Sequence, residues 1–133
     1  MYFPDLSPCI KYERGKQGLA LNVGWLDPAR GYVKGNVSGN FVKALWQFHQ
    51  RPAVFTIGES VCKFCGQSAL GQPAQPREQR PKLVGMEIHV WGGNGVMYVA
   101  PMLIYHYVVA HQYLPPAEFI QAVLAGRGLD NHS

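Results

Sequence analysis

An α+β fold with antiparallel strands, a β-hairpin and helices toward its C-terminal end follows from three features of the sequence. Several short runs alternate apolar and polar residues, the two-residue period of a strand. The stretch "MEIHVWGGNGVMYVA" sets two runs of strand formers around a glycine-rich centre, which is a hairpin pattern. Two later stretches carry apolar residues at the spacing of a helix face.

The elements follow in chain order. "LALNVGWLD" puts Leu19, Leu21, Val23 and Trp25 on alternate positions, predicting a strand over about 19 to 26 that "DPARG" ends in a turn. Residues 31 to 37, "GYVKGNV", are expected to return as a strand, although two glycines weaken it. "SGNFVKALWQFHQR" reads as a helix capped by Ser38 or Asn40, with Phe41, Leu45, Phe48, Val42 and Trp46 forming its apolar stripe. "AVFTIG" (53 to 58) is a short strand leading into "VCKFC". In the hairpin, Met86, Ile88 and Val90 are expected on one face and Glu87, His89 and Trp91 on the other, with Asn94 in the turn. "PMLIYHYVVAH" is expected to open a helix at Pro101 and to bury Leu103, Ile104, Tyr107 and Val108. "YLPP" stops it. Pro116 opens a last helix with Phe119, Ile120, Val123 and Leu124 inward and Gly126 as its cap.

The chain has 133 residues, the size of one domain, and is read as a single domain over 1–133. Within it, 1–60 holds the N-terminal strands and helix, and 61–125 the portion that carries the closely spaced cysteines and the later histidines. Segment 66–82, rich in proline and glutamine, is a flexible surface loop. Hydrophobic residues make up 47% and charged residues 15%, a globular balance and not that of a disordered tail. The longest apolar stretch, 96 to 110, contains Pro101 and His106 and falls short of the roughly 20 residues of a membrane helix. The N-terminus lacks a secretory signal pattern, so a cytoplasmic location is expected. A net charge of +4 permits contact with nucleic acid without requiring it. The clusters Lys11, Arg14, Lys16 and Arg77, Arg80, Lys82 are short and lack interleaved aromatic residues, so each is read as solvated surface.

The chemistry concentrates in "VCKFC". Cys62 and Cys65 are two residues apart, and 40 residues further on His106 and His111 form an H-x4-H pair. Two thiolates and two imidazoles are the ligand set of a tetrahedral zinc site. The long gap excludes a small DNA-reading finger, which has about 12 to 15 residues there. Strand, cysteine turn, hairpin and histidine helix instead suggest a treble-clef-like or elaborated ββα site. Five residues along a regular helix point two side chains about 140° apart, so His111 must sit in a loosened last turn to meet His106. Four strong ligands close a zinc site, which argues for one structural Zn2+ and not a catalytic one.

Alternatives stay open on the sequence. CxxC can be a redox pair, although a thioredoxin-like context is missing. Cys9 could replace a histidine as ligand. HExxH and the deaminase signature are absent. The enzymatic rival is an HNH-like nuclease with His89 as general base, Asn94 nearby and the helix histidines on a divalent metal. A nucleic-acid-binding zinc domain is the other rival.

The string "CKFC … MEIHVWGGNGVMYVAPMLIYHYVVAHQYLPPAEFIQAVL" resembles a group of small uncharacterised bacterial proteins with CxxC, a hairpin and a "Y.AP.LI.HY…H.Y.PP..F" segment. The resemblance covers roughly the second half of the chain, most specifically 86 to 124. It implies a metal role for Cys62, Cys65, His106 and His111 and carries no activity. The expected role is therefore that of a structural zinc protein recognising an unidentified protein partner, as an accessory or immunity-type protein.

Overall fold

The computed structural model describes residues 2–9, 19–50, 54–56, 62–65, 85–93 and 95–126. The element order is β1 (Leu19–Asn22), α1 (Gly39–His49), β2 (Val54–Thr56), β3 (Gly85–Trp91), β4 (Val96–Pro101), α2 (Ile104–His111) and α3 (Ala117–Ala125). Segment 66–82, both basic clusters and Asn94 lie outside the described residues.

The strands form one mixed sheet in the order β1-β4-β3-β2. β4 pairs antiparallel with β3, with Ile88 opposite Ala100 and Val90 opposite Tyr98, and parallel with β1. β2 pairs antiparallel with β3. Ile88 and Val90 face a core that also takes Phe41, Leu45 and Phe48 from α1, Ile104, Tyr107 and Val108 from α2, and Phe119 and Val123 from α3. The helices thus cover one face. The opposite face is covered too, by Cys9 and Trp25 over Ala20, Met97 and Val99. The Trp25 indole N–H, which burial would otherwise leave unpaired, donates to the Val99 carbonyl at 2.9 Å.

β1 is shorter than the expected 19 to 26. Gly24 has φ +82°, which breaks the alternation, so Val23 enters the helix-side core while Trp25 packs on the opposite face. Within β1 the buried positions are Ala20 and Asn22, and Leu19 is exposed. Residues 6 to 9 run alongside: Leu6 N–H donates to the Asn22 carbonyl, Asn22 N–H to that of Ser7, and Cys9 N–H to that of Ala20. They occupy what would otherwise be a bare sheet edge. The expected strand at 31–37 does not form beside β1. Only Lys34 makes a bridge, and its partner is Tyr113.

α1 begins where expected, with the Ser38 hydroxyl accepting from Phe41 N–H at 3.0 Å. Its buried stripe is narrower than expected, since Val42 is half-buried and Trp46 exposed; Trp46 stacks on His49 and contacts Tyr105. Pro101 does not open α2. It ends β4 opposite Glu87, where a missing N–H interrupts no further ladder, and α2 starts at Ile104. Leu103, Ile104, Tyr107 and Val108 are all buried, as expected. In α3, Leu124 is exposed because it lies five positions, about 140°, from Phe119; Ala122 takes the inward place. Gly126 closes α3 in the left-handed conformation.

Candidate metal centre

Cys62 and Cys65 stand at the two ends of a turn, and His106 and His111 on the first turn and last residue of α2. The Cys62 Sγ and His111 Nε2 atoms are 3.4 Å apart, and the Cys65 Sγ and His106 Nε2 atoms 3.2 Å. All four donor atoms lie within 4.8 Å of one another, so the quartet could hold a metal ion. Bonds of about 2.3 Å to sulfur and about 2.0 Å to nitrogen at tetrahedral angles would put sulfur and nitrogen about 3.5 Å apart. The donors match that figure to within a few tenths of an ångström, and two thiols with two imidazoles suit a borderline-soft cation such as zinc.

The helix solves the H-x4-H problem in the way its sequence requires. Gln112 takes the left-handed conformation at φ 57°, and its N–H bonds the Tyr107 carbonyl; Tyr113 N–H reaches the same carbonyl at 3.1 Å. Both bonds span one residue more than the usual left-handed helix stop. An i to i−5 closure packs an extra residue into the last turn, so positions five apart return toward one side. The rings of His106 and His111 come to 5.0 Å between centroids.

The surroundings set the charge states of the free ligands. Burial pushes the Cys62 thiol above its ordinary value, partly offset by backbone N–H groups of Phe64 and Cys65, with Cys65 itself pushing it further up. The Phe64 N–H lies 3.4 Å from Cys62 Sγ and donates to it. His106 is held below its ordinary value by burial and by His111 beside it, which favours the neutral imidazole that ligates metal. Tyr107 is pushed well up, first by burial and then by Cys62 and Asp27.

Sequence reasoning missed the aromatic brace around the quartet. Phe64, inside the CxxC turn, meets Tyr32 edge-on at 5.5 Å, Tyr107 at 5.9 Å and the His111 ring at 5.1 Å. Tyr32 donates its hydroxyl to the His111 carbonyl at 2.9 Å. An aromatic residue between two ligand cysteines was the available signal for Phe64. Nothing local marked Tyr32.

The other candidates do not join the quartet. Cys9 is buried on the opposite face of the sheet among Ala20, Met97 and Val99, so it does not replace a histidine. His89 alternates with Ile88 and Val90, which face the helix-side core that contains Cys62. It therefore points to the other side of the sheet, where it lies 3.4 Å from the buried Glu87 carboxylate. An HNH-like reaction needs base and metal at one phosphate, and here the sheet stands between them. All three cysteines are free of disulfides.

The fold and the site together define a small α+β protein with a Cys2His2 cluster able to hold a metal. Residues 1–124 match the family described as Domain of unknown function (DUF7919), and the chain belongs to that uncharacterised family. No curated protein and no solved structure matches the chain. Among the described residues, no helix is long and apolar enough to cross a membrane.

Proposed function

We propose that the chain is a zinc-binding protein in which Cys62, Cys65, His106 and His111 hold one structural Zn2+ and the assembled surface recognises a protein partner. The observation that carries the metal reading is the convergence of four donor atoms within 4.8 Å from a turn and a helix 40 residues apart in sequence. Four protein donors fill a tetrahedron and leave no position for a reacting water, so the ion fastens the cysteine turn onto α2. The order of cysteine turn, antiparallel strand pair and histidine helix is that of a treble-clef-like or elaborated ββα site. Thiolate ligands suit a reducing compartment, in keeping with a cytoplasmic accessory or immunity-type protein.

The partner reading is supported by the outer side of the helices. Trp46 on α1 contacts Tyr105 on α2 at 4.8 Å between ring centroids, and Val109, one turn beyond Tyr105, is 56% exposed. Aromatic and aliphatic groups left in water in one strip are what protein interfaces are built from.

Native mass spectrometry of the whole chain, with and without chelator and alongside Cys62→Ser, tests the metal reading. One zinc per chain in the wild type, absent from the variant, is the expected result. A wild-type chain that stays metal-free when zinc is supplied would overturn it. For the partner, Trp46→Ala and Val109→Asp are expected to abolish capture of a stoichiometric protein that the wild type retains. Capture that survives both changes refutes a role for this strip.

A further inference from the structure

The four donors are unequally placed. Cys62 is fully buried, whereas Cys65 is exposed to solvent, three residues away in the same turn. The Sγ atoms of both lie within 4.8 Å of each other, as members of the quartet. Disulfide formation needs the sulfurs to close to about 2.05 Å, a movement that a short turn with one end in solvent can make. The histidines, in contrast, are held by α2 and by the brace around it, so they do not follow the cysteines outward.

From this asymmetry we infer that the metal centre is a peroxide-sensitive clasp: oxidation of Cys65 and Cys62 to a disulfide releases the ion and unties the turn from α2. The inference rests on the zinc reading above and adds its regulation. The step balances with hydrogen peroxide as oxidant. The exposed Cys65 thiolate attacks one peroxide oxygen, an S–O bond forms, the O–O bond breaks, and hydroxide leaves, taking a proton from a buffer acid. The Cys62 thiolate then attacks the Cys65 sulfur; the S–S bond forms, the S–O bond breaks, and a second hydroxide is protonated. Two electrons pass from the sulfurs to the peroxide, and the ion departs unchanged in oxidation state. Once paired with each other, the sulfurs no longer hold His106 and His111, and Phe64 loses the constraint that keeps it against Tyr107.

The test uses the full zinc-loaded chain titrated with hydrogen peroxide. Released zinc is read with a chromogenic chelator, free thiols are counted, and intact mass is recorded. The expected result is one zinc released for each pair of thiols lost, a mass decrease of about 2 Da, a Cys62–Cys65 linkage in the peptide map, and recovery on adding reductant with zinc. Cys9→Ala, which alters only the cysteine on the opposite face, is expected to release zinc at the wild-type rate. Cys65→Ser is expected to lose the 2 Da step. Zinc that stays bound while Cys65 gains oxygen atoms overturns the clasp and leaves the metal reading intact. A chain with no zinc before peroxide is added overturns both.

Discussion

On the zinc reading proposed above, removing the ion is expected to cost the fold a definite amount, because the site joins parts of the chain that are distant in sequence. Cys65 meets His106 across 41 positions and Cys62 meets His111 across 49. Treated as a cross-link closing a loop of that length, the ion removes about 4 kcal/mol of chain entropy from the unfolded state. Domains are stable by only about 5 to 15 kcal/mol, so this is a large share. For a chain of 133 residues it corresponds to a fall of about 14 °C in Tm. The assay is thermal and urea unfolding followed by circular dichroism, with and without a chelator, with metal content measured on the same samples. His111→Ala is expected to lower Tm as chelation does and to be insensitive to chelator. An unchanged midpoint in protein shown to be metal-free refutes the reasoning, since it would mean that the turn and α2 hold together without the ion.

Other perturbations probe the scaffold. Gly24→Ala places a Cβ 2.8 Å from Ile104 Cδ1 at φ +82°, combining backbone strain of about 1 to 2 kcal/mol with overpacking of about 1 to 3 kcal/mol; urea unfolding is expected to show a loss in the range of their sum. Ser38→Ala removes the cap on Phe41 N–H and is expected to cost about 1 kcal/mol in the same assay. Tyr98, buried and donating to Glu118 at 2.9 Å, has its pKa pushed up to about 12, first by burial and then by that carboxylate. Between pH 10 and 12 the unfolded chain therefore releases a proton that the folded chain keeps. Stability should fall with rising pH by about 1.4 kcal/mol per unit from this group, and Tyr98→Phe should remove that share of the slope.

Much of the centre was legible because its signals are local and chemical. CxxC and H-x4-H name the four residues that the fold brings together, and the misfit of H-x4-H to a regular helix required a loosened turn, which Gln112 supplies. Apolar spacing likewise located α1, α2 and α3, and alternation placed Ile88 and Val90 on the inner face of β3. What could not be read was long-range. That residues 6 to 9 line β1 depends on a pairing between segments with no shared pattern. Pro101 carries the same φ at a strand end as at a helix start, so only its partner Glu87 decides. Glu87 looks like a solvent-side residue by alternation, yet it is 2% exposed, a burial that the strand's own period does not signal.

The segment 31–37 shows how such a long-range pairing bears on the metal. Instead of returning beside β1, it lies against the chain just after α2. Leu114 N–H donates to the Val33 carbonyl at 2.9 Å, Gly35 N–H to the Gln112 carbonyl at 3.0 Å, and the Tyr32 hydroxyl to the His111 carbonyl at 2.9 Å. A Cβ on Gly35 would come within 2.9 Å of Leu114, so the approach is as close as a glycine allows. These bonds grip the carbonyls of His111 and of the left-handed residue after it, so they hold the widened turn in the shape that returns His111 to His106. Tyr32→Phe should therefore weaken zinc binding without removing a ligand, since the ring stays against Phe64 and Tyr113 while the bond to His111 is lost. A neutral hydrogen bond contributes about 0.5 to 1.5 kcal/mol, so competition with a chelator of known affinity should show a loss of about 2- to 12-fold. An unchanged affinity would mean that α2 sets the position of His111 by itself and that the 31–37 segment only shields it.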